Sequence, residues 1–63
     1  MAQTETYDYI ETPGRAVALA LMAELVAKGI DVNASREDDG GWTFKVRTRE
    51  GEFTRQLLSK VTA

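Results

Sequence analysis

The sequence predicts a small α+β fold, a β-α-β-β-α two-layer sandwich with helices on one face of a three-stranded sheet. Three stretches alternate between apolar and polar side chains, as half-buried β-strands do. Between the first two of these stretches lies a longer apolar segment with the spacing of an amphipathic helix. The C-terminal segment also has apolar residues at helical spacing, so a second helix is predicted there.

The three strands are predicted from their alternating side chains and from the turns between them. The first covers Thr4–Ile10 and contains two tyrosines, and the second covers Ile30–Ala34. The third covers Trp42–Arg49 and ends at Glu50-Gly51. A turn at residues 37–41 joins the second and third strands into a hairpin, because its two glycines can adopt positive φ angles.

The first helix is predicted to begin at Thr12-Pro13, with threonine as the N-cap and proline at the first helical position. It is predicted to end near Lys28, because Gly29 is a typical C-terminal stop. One side of this helix carries a broad apolar stripe, which is expected to pack on the sheet. The stripe consists of Ala18, Leu21, Met22, Leu25 and Val26, with Leu19 at its margin.

The C-terminal segment is ambiguous from the sequence. A strand would place Arg55 and Ser59 on the same face as Phe53 and Leu57, whereas a short helix would place four apolar residues on one side. The helix gives the better core pattern, and we therefore predict it. Its apolar residues are Phe53, Leu57, Leu58 and Val61.

The element order favours the strand order 1-3-2, which is half of a ferredoxin-like arrangement. The β-α-β crossover leaves room for the third strand between the first two. The first strand is then an edge strand, where a partner's strand or a second copy can pair. With 63 residues, the chain is predicted to form a single domain over residues 1–63, near the lower size limit for a stable core.

The hairpin register follows from keeping apolar residues on the inner face of the sheet. The first strand is harder to orient. Outward tyrosines would form an aromatic and basic surface of the kind that stacks RNA bases, but they would turn Asp8 into the core, where an unpaired carboxylate is costly. We therefore predict inward tyrosines and an outward Asp8. The predicted hairpin pairs are Asp31 with Arg47, Val32 with Val46, Asn33 with Lys45 and Ala34 with Phe44.

The third strand alternates apolar residues with cations, which predicts a basic row on the outer face of the sheet. The row consists of Lys45, Arg47 and Arg49, and it is a candidate surface for single-stranded nucleic acid. Pairing of Arg47 with Asp8 and Asp31 would neutralise much of it within the sheet. The net charge of −2 also disfavours nucleic acid, because affinity there depends on neutralising phosphates. A neutralised outer face is therefore the preferred interpretation.

Two other surfaces are candidates for binding a protein. One is an acidic edge and turn, expected to face a basic partner, and its residues are Glu5, Asp8, Glu11, Glu37, Asp38 and Asp39. The other is a stripe of small side chains on the first helix, suited to self-association or docking. Alanine is also a good helix former, and the second helix could cover the stripe. The stripe consists of Ala16, Ala20, Ala23 and Ala27.

The composition argues against catalysis. The chain has no cysteine and no histidine, so it lacks thiolate metal ligands and the commonest general base. We therefore expect no enzyme activity, no metal and no other cofactor. Because it has no apolar run long enough for a membrane span and no segment typical of a signal peptide, we expect a cytoplasmic protein.

By elimination, the sequence predicts a small protein-interaction module that binds a larger protein partner. Such a module could act as an inhibitor, an adaptor or a regulatory accessory protein, of the type that phages and mobile elements encode. Weak single-stranded nucleic-acid binding by the third strand is the alternative function. A homodimer joined through edge strands or helices is a further interpretation, because a core this small gains from association.

Overall fold

The structure of the protein, a computed structural model, is described for residues 5–63. Its elements are β1 (Tyr7–Thr12), α1 (Arg15–Ala27), β2 (Val32–Arg36), β3 (Trp42–Arg47), a 3₁₀ turn (Thr48–Glu50) and α2 (Gly51–Thr62). The strands form one antiparallel sheet in the order β1-β3-β2, and both helices pack on the same face. The predicted α+β class, element order and strand order are confirmed. Thr4, the predicted start of the first strand, lies outside the described residues.

The core lies between the inner face of the sheet and the two helices. Because β3 alternates, Phe44 and Val46 are fully buried on this face, while Lys45 between them points to the other face. The predicted C-terminal helix is confirmed, and its Leu57 joins the same core. No helix among residues 5–63 is long and apolar enough to cross a membrane. The buried hydrophobic residues are Ile10, Ala18, Leu21, Leu25, Phe44, Val46 and Leu57.

Two residues that were expected in the apolar stripes are exposed instead. Val26 in α1 has 63% of its surface exposed, and Phe53 in α2 has 37%. In α1, the buried residues Ala18, Leu21 and Leu25 define the side that faces the sheet. Val26 follows Leu25 by about 100° of helical rotation, which turns its side chain toward solvent. The expectation that these two residues join the core is therefore wrong.

The first helix begins later than predicted. Thr12 is the last residue of β1, where it is buried and its Oγ1 donates a hydrogen bond to the Trp42 carbonyl at 3.2 Å. Pro13 has no N–H to offer a sheet, and the strand ends before it. α1 then begins at Arg15 with Gly14 as its N-cap. The prediction of Thr12 as the N-cap and Pro13 as the first helical residue is wrong, because the Thr12 hydroxyl bonds across the sheet and the helix begins at Arg15.

The end of α1 confirms the predicted glycine stop. Gly29 has a φ of 73°, and its N–H donates to the Val26 carbonyl at 3.0 Å. The Ile30 N–H donates to the Leu25 carbonyl at 3.0 Å. These two bonds form a Schellman motif, which satisfies carbonyls at the helix end. Since Ile30 belongs to this motif, β2 begins at Val32 and not at Ile30 as predicted.

The hairpin has the predicted loop and the predicted register. The Glu37 N–H donates to the Gly41 carbonyl at 2.8 Å and closes the loop over residues 37–41. Gly40 has a φ of 91°, which glycine adopts without strain, but Gly41 has no positive φ, so the prediction of positive φ at both glycines is wrong for Gly41. The predicted pairs Val32–Val46, Asn33–Lys45 and Ala34–Phe44 are confirmed, and Ser35–Thr43 and Arg36–Trp42 extend them.

β1 has the opposite orientation from the one predicted. Tyr7 pairs with Arg47 and Tyr9 pairs with Lys45, and residues directly opposite each other share a face of the sheet. The tyrosines therefore point outward, with 43% and 64% of their surfaces exposed. Asp8 lies on the inner face. The prediction of inward tyrosines and an outward Asp8 is wrong.

This orientation buries Ile10 and Thr12 on the inner face, and an ion pair between β1 and α2 accommodates Asp8 there. Asp8 Oδ2 lies 3.2 Å from Arg55 Nη2, and the Asp8 side chain keeps 24% of its surface exposed. The carboxylate therefore avoids the cost of an unpaired buried charge. Gly51, the buried first residue of α2, leaves the space that the carboxylate occupies. A Cβ at Gly51 would lie 2.9 Å from Asp8 Cγ.

We predict that Gly51→Ala destabilises the protein by about 1–3 kcal/mol, because the added methyl group collides with the Asp8 carboxylate. In an Asp8→Ala background, the same substitution should be neutral or stabilising by up to about 1 kcal/mol, because alanine is the better helix former. Urea unfolding of the wild type, both single variants and the double variant measures these differences. An equal loss in the two backgrounds would contradict the contact between Asp8 and Gly51.

Candidate functional site

The outer face of the sheet brings aromatic and charged side chains together. Lys45 Nζ lies 4.4 Å from the centre of the Tyr7 ring, which is a cation–π contact. Arg47 forms ion pairs with Glu5 (Nε–Oε1 3.5 Å) and with Asp31 (Nη1–Oδ2 3.4 Å). Asp31 thus pairs with Arg47 as predicted, but the second carboxylate belongs to Glu5 and not to β1.

The predicted row of three cations is shorter in the structure. β3 ends at Arg47, because the chain turns into the 3₁₀ turn that leads to α2. Arg49 lies in that turn, 70% exposed, with its Nε 3.9 Å from Glu50 Oε1. The prediction of a strand that extends to Arg49 is therefore wrong. The strand itself presents two cations, Lys45 and Arg47, on the outer face.

The predicted acidic residues do not form one continuous surface. Glu5 and Asp8 lie near one end of the sheet, where they pair with arginines. The others are near the hairpin loop. Of these, Glu11, Glu37 and Asp39 border a polar cleft of about 390 Å³, and Asp38 is exposed in the loop.

Two of the loop acids have hydrogen-bond partners within the hairpin. Glu37 Oε1 accepts a bond from Thr43 Oγ1 at 2.6 Å. Asp39 Oδ1 accepts a bond from the Gly41 N–H at 2.9 Å. No group of three acidic side chains within residues 5–63 could hold a metal ion. These contacts indicate that the loop acids support the turn.

The alanine stripe of α1 remains largely uncovered. Ala16, Ala23 and Ala27 are exposed, and Ala20 is half-buried. α2 packs beside α1 but leaves those three residues open to solvent. Leu19 and Val26 are also exposed, so α1 is apolar on its solvent side as well as on its core side. A helix that is apolar on all sides is usually covered by a neighbour.

An apolar groove lies between α1 and the hairpin, with a volume of about 590 Å³. Met22 and Trp42 are half-buried in its walls, and Leu19 is 59% exposed beside them. The alternation of β3 predicts Trp42 on the inner face with Phe44, and the helical spacing predicts Leu19 at the margin of the helix stripe, but the groove between them was not predicted. We call this feature the α1–β2 groove, and its residues are Arg15, Ala18, Leu19, Met22, Ala34, Arg36, Gly40, Trp42 and Phe44.

The α1–β2 groove runs beside unpaired backbone groups of β2. In an antiparallel pair, alternate residues direct both their N–H and their C=O toward the partner strand. The bond from the Glu37 N–H to the Gly41 carbonyl sets this alternation. Val32, Ala34 and Arg36 therefore direct their backbone groups away from β3, and no strand within residues 5–63 pairs with that edge.

Two arginines make the groove positive. Arg15 is the first residue of α1, Arg36 is the last residue of β2, and no acidic side chain lines the groove with them. Within residues 5–63, neither arginine has a carboxylate oxygen within 4.0 Å. The first turn of α1 contains no acidic residue. Because a helix N-terminus is itself positive, the groove favours an anion here.

No protein-family model, no curated protein and no solved structure matches this chain.

We predict that Leu19→Glu changes the free energy of unfolding by no more than about 0.5 kcal/mol, because this side chain is mostly exposed in the folded protein. Leu21→Ala on the buried side of the same helix should cost about 2–5 kcal/mol. Urea unfolding measures both values. A loss of several kcal/mol for Leu19→Glu would show that Leu19 belongs to the core.

Proposed function

We propose that the chain is a small, non-enzymatic protein-interaction module that binds a larger protein partner, as an inhibitor, an adaptor or a regulatory accessory protein. The observation that carries this proposal is the α1–β2 groove, an apolar groove beside a free strand edge. The proposed location is the cytoplasm, since a sequence without cysteine is compatible with a reducing compartment.

The groove has the properties of a binding site for a protein. Removing apolar surface from water contributes about 25 cal/mol per Å², and Leu19 and Trp42 both retain apolar surface to bury. Tryptophan and arginine are enriched among the residues that dominate interface affinity, and the groove contains Trp42 together with Arg15 and Arg36. A small domain also gains stability when a partner covers such a surface.

The acidic edge and turn is a weaker candidate for the partner surface. Four of its six side chains are engaged within the protein, two with arginines and two in the hairpin. Binding a basic partner there would require those contacts to be shared or broken. The engaged residues are Glu5, Asp8, Glu37 and Asp39.

We predict that the immobilised protein captures its partner from a lysate of the cells that produce it, and that Leu19→Glu abolishes the capture. A new carboxylate in the interface would lose its water without gaining a partner. Quantitative mass spectrometry compares the retained proteins. Gln56→Glu is the matched control, because it makes the same change of charge at an exposed position of α2.

The same experiment distinguishes binding at the groove from binding at the acidic edge and turn. Binding that survives Leu19→Glu but is lost when Asp38 and Asp39 are both replaced by lysine would contradict the groove and locate the partner at the hairpin loop. A protein that binds all variants equally would contradict both surfaces. Circular dichroism of each variant confirms that it is folded before capture.

Single-stranded nucleic-acid binding is a second candidate function, and one observation favours it. Tyr7 and Tyr9 point outward next to Lys45, an arrangement that lets bases stack on aromatic rings. The acidic side chains of Glu5 and Asp31 on the same side oppose it, because they already neutralise Arg47. Few cations therefore remain for phosphates.

If the outer face binds single-stranded nucleic acid, Tyr9→Ala should weaken that binding by about 5- to 150-fold, the effect of losing one stacked base. Fluorescence anisotropy of a labelled mixed-sequence oligonucleotide at low salt measures it. Leu19→Glu serves as the control, because it lies on the helix side of the sheet. An oligonucleotide that does not bind the wild type at low salt would exclude this function.

A further inference from the structure

We propose that the α1–β2 groove binds an extended, acidic segment of the partner, which adds to the sheet as a fourth strand along β2. Its alternate apolar side chains fill the groove, and its carboxylate pairs with Arg15 and Arg36. This inference rests on the proposed function of the same groove and specifies the chemistry of the partner.

The backbone of β2 favours an extended ligand. Val32, Ala34 and Arg36 each offer an N–H and a C=O that no strand within residues 5–63 uses. A partner strand would satisfy these groups in register, which is how extended peptides add to sheet edges. A bound helix would leave them without partners, because its own N–H and C=O groups are bonded internally.

The side chains of β2 fit the same ligand. Val32, Ala34 and Arg36 face the helix layer, because their partners on β3 do so. Ligand residues directly opposite these three positions would direct their own side chains into the groove, while the residues between them would point to the outer face. The ligand should therefore require apolar side chains at every second position.

The edge of β1 is less suitable for the same purpose. α2 packs on β1, and the Asp8–Arg55 ion pair occupies the inner side of that edge. The cleft at the far end of β1 is polar and bordered by Glu11. An added strand on β1 would find a charged surface where β2 offers an apolar groove.

The charge of the groove selects an acidic ligand over a second copy of this chain. Arg15 and Arg36 line the groove without a carboxylate partner among the described residues. A second copy that paired through its own β2 would bring the side chains of Val32, Ala34 and Arg36 to the inner face. It would add cations to a groove that already has two, and it would supply no carboxylate from that strand.

Selection from a library of random linear peptides displayed on phage tests the proposal with the full chain as bait. The selected peptides should alternate apolar residues and carry at least one aspartate or glutamate. Because Trp42 lines the groove, its fluorescence reports binding of each synthetic peptide. Arg36→Glu should weaken binding at least about tenfold, as expected for a close charge pair. Lys60→Glu, an equal charge change on exposed α2, should leave it unchanged.

Methylation of single backbone nitrogens in the best peptide tests the added strand. Each methyl group removes one N–H donor, so affinity should fall about tenfold at every second position and change little between them. A charge swap checks that Arg36→Glu remains folded. A peptide in which lysine replaces the acidic residue should bind this variant better than it binds the wild type, and such binding requires an intact groove.

Several outcomes would overturn the proposal. These are a library that yields no peptide, peptides without a required acid, a methylation profile without two-residue periodicity, and a dimer in sedimentation equilibrium whose formation excludes the peptide. The proposed function, protein binding at the groove, is tested separately from the added strand. Partner capture that is lost in Leu19→Glu would support protein binding at the groove even if the methylation profile excludes an added strand.

Discussion

Burial of Ile10 and Thr12, together with an ion pair between Asp8 and Arg55 above Gly51, determines which face of β1 joins the core, and the positions of the other surfaces depend on it. The alternation of β1 permits either the tyrosines or Ile10 in the core. With Asp8 turned inward, Ile10 is buried and both tyrosines line the outer face. α2 then packs on β1, and α1 packs on the β2 side of the sheet, where the apolar groove lies.

The features that depend on neighbouring residues could be predicted from the sequence. Those that depend on contacts between residues far apart in the chain could not. The hairpin register could be predicted because the loop at 37–41 and the apolar alternation of β2 and β3 allow only one consistent pairing. The end of α1 could be predicted because Gly29 provides the positive φ of a helix stop. The orientation of β1 could not, because Asp8 is balanced by Arg55, far along the chain in a different helix.

The candidate site could not be predicted either, because it also depends on contacts between distant parts of the chain. Leu19 and Val26 satisfy the helical spacing of a core stripe, and only the packing of two helices on three strands shows that both are exposed. Arg15 and Arg36 are distant in sequence, and the fold brings them to one groove. This groove therefore has three features that suit an extended acidic segment. They are the N–H and C=O groups of β2 that point away from β3, an apolar surface and two positive charges. The outward tyrosines form a separate surface on the opposite face of the sheet.

Amide hydrogen exchange, measured by NMR for the chain alone and for the chain bound to its captured partner, is the most direct test of binding along β2. If the partner binds along β2, exchange should slow on binding at Val32, Ala34 and Arg36, whose N–H groups point away from β3 in the free protein. Exchange at Tyr7 and Tyr9 should be unchanged. Protection confined to Tyr7 and Tyr9, whose N–H groups point away from β3 at the edge of β1, with the three β2 amides unaffected, would contradict binding at the α1–β2 groove and locate the partner at the β1 edge.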